Sequence, residues 1–161
     1  MSKSDKGTVL TRLQSSARLS RTMLASRLLG HGFYAGQDQI MLALAQDDGQ
    51  TPSQLALRLG VRPPTVTKTI NRLQSQGFLA KSPSTEDARQ AHVSLTETGR
   101  DAIKAIEKSI RKTEKQALKG FDKKDQKTLL KLLGKIEGNL NGVVEPDVEE
   151  AVDLDDAVPA E

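Results

Sequence analysis

The residues with the clearest chemical potential lie in the run from Pro63 to Leu73. At about 100° per residue on a helical wheel, Val66, Ile70 and Leu73 fall together on one side. The opposite side and its flanks carry hydroxyls, an amide and cations, in a set formed by Pro64, Thr65, Thr67, Lys68, Asn71 and Arg72. Such groups can contact a DNA major groove, where Asn pairs with adenine, Arg or Lys with guanine, and hydroxyls with phosphates. The run therefore predicts a DNA-reading helix, and the alternative is an ordinary solvated polar face.

Local signals place this helix second in a helix-turn-helix unit. Residues 37–46 predict one helix, and Thr51 starts another with a hydroxyl cap that Gln54 completes as a capping box. Gly60 ends that short helix, and Gly77 ends the candidate reading helix. Two helices joined by a tight turn are the signature of a helix-turn-helix.

Two short strands are predicted after the reading helix, at residues 78–81 and 92–95, around a polar segment. A hairpin with a long tip in this position is a wing. Lys81 and Arg89 belong to it and can follow a phosphate backbone or enter a minor groove. The alternative is that these isolated wing cations are only solvated.

Three further stretches have the apolar periodicity of helices and flank the winged unit. They cover residues 8–29, a segment from 96 with a stripe at 103–117, and a last helix capped by Asp122 with a stripe at 129–140. Their apolar surface is more than one small winged domain can cover, so two-fold pairing of chains is expected to bury it. An intramolecular bundle is the alternative.

The charge of the chain is unevenly distributed. Eight of the 21 acidic residues follow residue 144, where there is no Lys or Arg, so residues 1–144 hold 24 basic and 13 acidic side chains. The resulting net charge of +11 favours a polyanionic partner such as nucleic acid, although a well-solvated basic surface would look the same. The acidic segment at 145–161 contains two prolines and no aromatic residue, and it is expected to be disordered.

Composition excludes several classes of function. The chain has no Cys and only two His, which excludes disulfides and thiolate zinc sites and leaves no convincing metal site. No apolar stretch suits a membrane span or signal peptide, so we expect a cytoplasmic protein with no membrane partner. We find no nucleophile with its base and no glycine-rich phosphate loop, so neither an enzyme nor a bound cofactor is expected.

At this point the sequence resembles the MarR family of transcriptional regulators, over about residues 10–140. The most specific part is the wing Asp-x-Arg, followed by Leu-Thr-x-x-Gly. The matching residues are Leu55-Ala56, Leu59-Gly60-Val61, Thr65-Val66-Thr67, Arg72-Leu73, Gly77-Phe78-Leu79, Asp87-Ala88-Arg89, Val93-Ser94-Leu95-Thr96 and Gly99.

The resemblance implies a mainly α fold with a small two-stranded β-wing, a winged helix-turn-helix flanked by N- and C-terminal dimerisation helices. The expected division is 1–36 for the N-terminal dimerisation helix, 37–99 for the DNA-binding domain, 100–144 for the C-terminal dimerisation helices and 145–161 for the tail. A homodimer of this kind would bind a pseudo-palindromic operator with half-site centres about 34 Å apart and act as a repressor.

Within the wing, the resemblance implies that Asp87 fixes the loop and that Arg89 reaches toward the minor groove. The chain departs from the family where Lys81 is followed by Ser82-Pro83, because family members often have further basic residues there. Fewer phosphate contacts are therefore expected at the wing.

The resemblance also suggests a small aromatic or anionic effector, bound between the dimerisation helices and the reading domain. His31, Phe33 and Tyr34 are placed near that junction by their position after the first helix. The alternative is that His31 and Tyr34 are surface groups and Phe33 belongs to the core. A rival function is a winged-helix protein-interaction module that does not bind DNA.

Overall fold

The structure is a computed structural model that describes residues 7–84 and 90–141. Within these residues the chain forms six helices and one two-stranded antiparallel sheet. The expectation of a mainly α fold with a small β-wing is confirmed. In chain order the elements are α1 (Val9–Leu29), α2 (Gln37–Gln46), α3 (Pro52–Leu59), α4 (Pro63–Ser75), β1 (Leu79–Pro83), β2 (Ala91–Leu95), α5 (Glu97–Ala117) and α6 (Lys123–Asn141).

The turn between α3 and α4 forms as its residues predict. The Thr51 hydroxyl accepts a hydrogen bond from the Gln54 backbone N–H at 3.2 Å, and the Gln54 side chain accepts one from the Thr51 N–H at 2.9 Å. This capping box fixes the first turn of α3. Gly60 ends α3 with a φ of 62°, a left-handed conformation that glycine adopts without steric cost.

The wing strands are longer than the periodicity predicts. Leu79 pairs with Leu95 at one end, and Pro83 pairs with Ala91 at the other, so β1 extends two residues beyond the expected end at Lys81. Pro83 is tolerated because β1 has a neighbour on only one side and proline lacks the N–H that an interior strand would need. The Val93 N–H also bonds to the Gln50 carbonyl at 2.8 Å, which attaches β2 to the segment before α3.

The core of the winged unit lies beneath α4. Val66, Ile70 and Leu73 are all buried, as the wheel predicts. They belong to one apolar cluster that also takes in α1, the loop after it, α2, α3, both strands and α5, through Leu28, Phe33, Ile40, Met41, Ala43, Leu44, Leu55, Ala56, Leu79, Val93, Leu95 and Ile106. This packing fixes which side of α4 faces outward.

The start of α5 is held tightly against the end of α4. The Thr96 hydroxyl donates to the Gly77 carbonyl at 2.6 Å and accepts from the Gly99 N–H at 3.0 Å, so it caps α5 while joining it to the turn after α4. A Cβ at position 99 would lie 2.2 Å from the Phe78 carbonyl oxygen. Only glycine fits there without movement of the backbone.

The described residues divide into two compact units, with the division between Ala117 and Leu118. The second unit contains α6, whose predicted cap is confirmed because the Asp122 carboxylate accepts from the Asp125 N–H at 2.7 Å. No residue of α6 is buried. The dimerisation role expected for residues 1–36 and 100–144 stays a prediction, and the tail at 145–161 lies outside the described residues.

Candidate nucleic-acid interface

The outward side of α4 carries the groups that the wheel placed there. All six predicted contact residues of this helix are exposed, namely Pro64, Thr65, Thr67, Lys68, Asn71 and Arg72. Because the opposite side of α4 is anchored in the core, packing holds this polar face in one orientation. The helix can therefore present a fixed pattern of donors and acceptors.

The beginning of α4 offers few backbone donors to an anion. Pro63 and Pro64 occupy its first positions and have no N–H, and no side chain caps the helix. The N–H groups of Thr65 and Val66 bond to the Arg62 carbonyl at 3.1 and 3.2 Å. Contacts from this helix to a phosphate or a base must therefore come mainly from side chains.

An open groove of about 1170 Å³ runs along the outward face of α4. Its lining contains five of the six predicted contact residues and omits Thr65. It also contains Tyr34, from the loop between α1 and α2, and three residues that the sequence did not single out. The full lining is Tyr34, Pro63, Pro64, Thr67, Lys68, Asn71, Arg72, Ser75 and Gln76.

Two glutamines hold Tyr34 beside α4. The Gln37 side-chain oxygen accepts from the Tyr34 backbone N–H, and its amide donates to the Gln76 side-chain oxygen, each at 2.9 Å. The Gln76 amide in turn donates to the Gly32 carbonyl at 2.9 Å. Gln37 is buried, so its two bonds are partly shielded from water, and the network fastens the loop to the end of α4. This network could not be predicted from the sequence, because neither glutamine belongs to a motif.

The three predicted effector residues have different surroundings. Phe33 is buried and stacks on Phe78, with ring centroids 4.9 Å apart, while His31 is exposed and Tyr34 faces the α4 groove. The three side chains do not line one cavity among the described residues. A role for them in effector binding stays a prediction.

The described part of the wing contributes one cation to the neighbourhood of α4. Lys81 is exposed, and its ammonium group donates to the side-chain oxygen of Asn71 at 2.7 Å. Its predicted phosphate contact stays a prediction, and this bond to α4 was not foreseen. Asp87 and Arg89 lie outside the described residues.

The Asp48 carboxylate anchors the base of the wing. The Asp48 side chain accepts from the Leu95 N–H at 3.0 Å and pairs with Arg100 at 3.2 Å. These bonds connect the end of β2 to the turn after α2 and to α5. The wing and α4 are thus attached to the same core through separate contacts.

The buried acid near this site is Asp38, in the first turn of α2. Burial raises the pKa of its carboxyl group above the ordinary value of 3.8, while bonds from the backbone N–H groups of Asp38 and Gln39 partly oppose the shift. The cause is desolvation, which disfavours the charged form. Asp38 is away from the α4 groove lining and is not a candidate contact.

Residues 7–84 and 90–141 contain neither a metal-binding cluster nor a membrane-spanning helix. No group of three or more His, Asp or Glu side chains is placed to hold a metal ion. None of the described helices is long and apolar enough to cross a membrane.

Residues 34–91 match the family model described as the MarR family. Solved structures agree on the fold over a longer range. A probable transcriptional regulator from Pseudomonas aeruginosa is 23% identical, with 80% of this chain and 96% of that chain covered and a TM-score of 0.73. A MarR regulator from Methanosarcina mazei is 19% identical, with coverages of 87% and 94% and a TM-score of 0.77.

A cysteine-to-serine mutant of MarR from E. coli, complexed with operator DNA, has the same fold. It is 23% identical, with 80% of this chain and 94% of that chain covered and a TM-score of 0.73. The matched residues include α2, α3, α4, β1 and the start of β2, which together build the groove and the wing. The winged-helix region of this chain is therefore similar to the MarR family, and the solved structures share its fold.

Proposed function

We propose that this protein is a transcriptional regulator that binds double-stranded DNA through α4 and the wing. The observation that carries the proposal is the outward face of α4, where Thr67, Lys68, Asn71 and Arg72 line one groove above a packed core. These side chains offer hydroxyl, ammonium, amide and guanidinium groups to base edges and phosphates. No catalytic step is part of the proposal.

Charge supports a nucleic-acid partner over a neutral one. Residues 1–144 have a net charge of +11, and Lys68, Arg72 and Lys81 contribute part of it close to the groove. Phosphates attract such a surface at any sequence, while the shape of the groove and the amide of Asn71 add selectivity. The relative complexed with operator DNA supports the same partner.

We propose that the regulator is a homodimer. Apolar side chains remain exposed on α1 and α6, among them Leu10 at 60%, Leu19 at 57% and Leu140 at 58%. Pairing with a second copy would remove this surface from water, and a two-fold dimer would place two copies of α4 about one DNA turn apart. The expected operator is pseudo-palindromic, with half-site centres about 34 Å apart.

Repression follows from the same proposal, because a dimer seated in two successive grooves competes with other proteins for that DNA. Release by a small aromatic or anionic effector belongs to the proposal, with His31, Phe33 and Tyr34 as its predicted residues. A thermal-shift screen of such compounds tests this part. Compounds that raise the melting temperature should also weaken DNA binding.

Fluorescence anisotropy with a duplex from upstream of the protein's own gene tests DNA binding. Wild type should bind it more tightly than an unrelated duplex at the same salt concentration. Lys68→Ala and Arg72→Ala should each weaken binding. A phosphate contact lowers affinity for all sequences and reduces the salt slope by ~1, whereas a base contact costs ~1–3 kcal/mol at one position.

Lys104→Ala is the matched control, since Lys104 is an exposed cation of α5 and is absent from the groove lining. It should change affinity less than either variant on α4. Wild-type affinity in both α4 variants would contradict the proposal that this face meets DNA. Absence of any duplex binding by the wild-type chain would favour the protein-interaction module instead.

A further inference from the structure

The contact between the wing and α4 fixes the orientation of one amide. The Lys81 ammonium lies 2.7 Å from the side-chain oxygen of Asn71. A lysine ammonium has only donors, so the atom facing it must be the amide oxygen and not the amide nitrogen. The Asn71 amide is therefore oriented with its oxygen toward the wing and its NH₂ group away from Lys81.

The wing backbone positions this ammonium. Lys81 pairs with Val93 in the antiparallel sheet, and directly paired residues project from the same side of the sheet. Val93 is fully buried in the core under α4, so Lys81 extends from the α4 side of the wing. A bond from a charged donor is also stronger than one between neutral groups. The contact is thus a product of sheet register as well as of side-chain reach.

The orientation of the amide decides what Asn71 can read. An Asn that pairs with adenine uses both ends of its amide, because the oxygen accepts from adenine N6 and the nitrogen donates to N7. Here one lone pair of the oxygen already accepts from Lys81, so the oxygen is held toward the wing and the two hydrogens of the NH₂ group are the part of the amide turned away from it. Those hydrogens suit a base edge that offers acceptors. Guanine presents two neighbouring acceptors in the major groove, and thymine presents one.

We propose that Lys81 is a specificity-determining residue that acts through Asn71 and turns its preference from adenine toward guanine and, more weakly, thymine. This inference rests on the proposed DNA-binding function. Lys81 is a positioning residue in this account, because its effect on base choice passes through the Asn71 amide. Removal of Lys81 lets the amide rotate, so that its oxygen and nitrogen can face a base together as adenine requires.

Selection from a library of randomised duplexes at one salt concentration tests the proposal. The full-length wild type should prefer guanine or thymine over adenine at the position that Asn71→Ala makes indifferent. Lys81→Met should raise the adenine share at that position. In competition between matched duplexes, the change should be about 5- to 150-fold, which corresponds to the ~1–3 kcal/mol of one base contact.

A double variant separates positioning from direct contact. If Lys81 acts through Asn71, Lys81→Met combined with Asn71→Ala should show the same base preference as Asn71→Ala alone. A further change in preference in the double variant would overturn the positioning role, because Lys81 would then read a base itself. Lys104→Met removes the same charge from α5 and should leave base preference unchanged.

Two results would overturn the inference while leaving the proposed function intact. One is a wild-type preference for adenine at the Asn71 position, and the other is an identical preference in wild type and Lys81→Met. Failure of the wild-type chain to enrich any duplex would instead contradict DNA binding as a whole. Lys81 is exposed, so the variant should keep the wild-type melting temperature, which excludes misfolding as the cause of a changed preference.

Discussion

Helices α4 and α6 both carry an apolar stripe beside a polar face, but they use it differently. On α4 the stripe of Val66, Ile70 and Leu73 is fully buried within the first unit. On α6, Leu133 and Ile136 are only half-buried, and Leu140 is 58% exposed. The same apolar periodicity is therefore fully buried on α4 and partly exposed on α6.

The difference lies in what surrounds each helix. The α4 stripe meets side chains of α2, α3, the strands and α5, which all contribute to one cluster. None of the buried core side chains comes from α6. Burial of apolar area is worth roughly 25 cal/mol per Å², so an uncovered stripe is stabilised by any surface that excludes water from it. A second copy of the chain is the occupant that we propose.

The largest expected effect tests the open stripe. Leu140→Asp places a charge on a side chain that is 58% exposed in the single chain, so it should cost little within one protomer. In a dimer it would bury an unpaired charge and dissociate the protein. Light scattering should give twice the 17.5 kDa chain mass for wild type and a single-chain mass for the variant.

Asn139→Asp is the control for that experiment. It adds the same charge one residue away, about 100° around the helix from Leu140. Its mass should remain that of the dimer. A single-chain mass for the wild type at micromolar concentration would contradict the dimer and the two-fold operator together.

Truncation of a buried side chain in the α4 stripe is expected to destabilise the protein as it would in any hydrophobic core. Ile70→Ala removes a fully buried side chain and should lower the free energy of unfolding by about 2–5 kcal/mol, measured by urea denaturation. Leu130→Ala, at a side chain that is 69% exposed on α6, should change it by no more than ~0.5 kcal/mol. Equal losses from the two substitutions would break the contrast between the helices.

Two glycines sharpen the contrast with a single type of substitution. Gly99→Ala would place a Cβ 2.2 Å from the Phe78 carbonyl oxygen, so overpacking should cost about 1–3 kcal/mol. A Cβ at Gly134 of α6 would meet nothing within 4 Å, and that position lies about 140° from Leu129 around the helix. Gly134→Ala should therefore stabilise the protein by about 1 kcal/mol through helix propensity.

Thermal unfolding of both alanine variants shows whether each substitution stabilises or destabilises the protein. The melting temperature should fall for Gly99→Ala and rise for Gly134→Ala. A fall for both would mean that α6 is closely packed on the side away from its stripe. A rise for both would mean that the backbone at Phe78 can move to accommodate a Cβ at position 99.

Most of the fold could be predicted because its signals are local. The helix bounds at 37–46, the capping box at Thr51 and the turn at Gly60 depend on residues within a few positions of one another. The buried side of α4 follows from periodicity alone. The extra length of β1 could not be predicted, because Pro83 is disfavoured in a strand unless the pairing geometry is known.

The contacts of the candidate site were less predictable than the helices, because they are not local. All residues of the outward α4 face lie within one short segment of the sequence. The contacts that hold this face come from segments that are distant in sequence. Gln37 and Gln76 are 39 positions apart, and the bond from Lys81 to Asn71 depends on where β1 lies. Tyr34 reaches the groove through the first of these links. None of them leaves a periodic or spaced pattern in the sequence.

The smallest expected effect concerns the desolvation of the Asp38 carboxyl group. Asp38 is only 8% exposed, and burial raises its pKa above 3.8 in the folded state. The folded protein therefore holds this proton to a higher pH than the unfolded chain does. The contribution of Asp38 to stability must fall as pH rises from 3.8 through the folded pKa, and it then stays constant.

Asp38→Asn removes this penalty, so the variant should melt at a higher temperature than wild type at pH 7. The advantage should shrink as the pH falls through the folded pKa toward 3.8, because Asp38 regains its proton in the folded protein over that range. Asp101→Asn, at an exposed carboxylate of α5, is the control and should show no such growth of its advantage with pH. A wild type more stable than Asp38→Asn at pH 7 would mean that the two backbone N–H bonds outweigh desolvation. The surroundings of Asp38 would then be more polar than the apolar core of the first unit implies. The difference in apolar burial between that core and the stripe of α6 would be smaller than we infer.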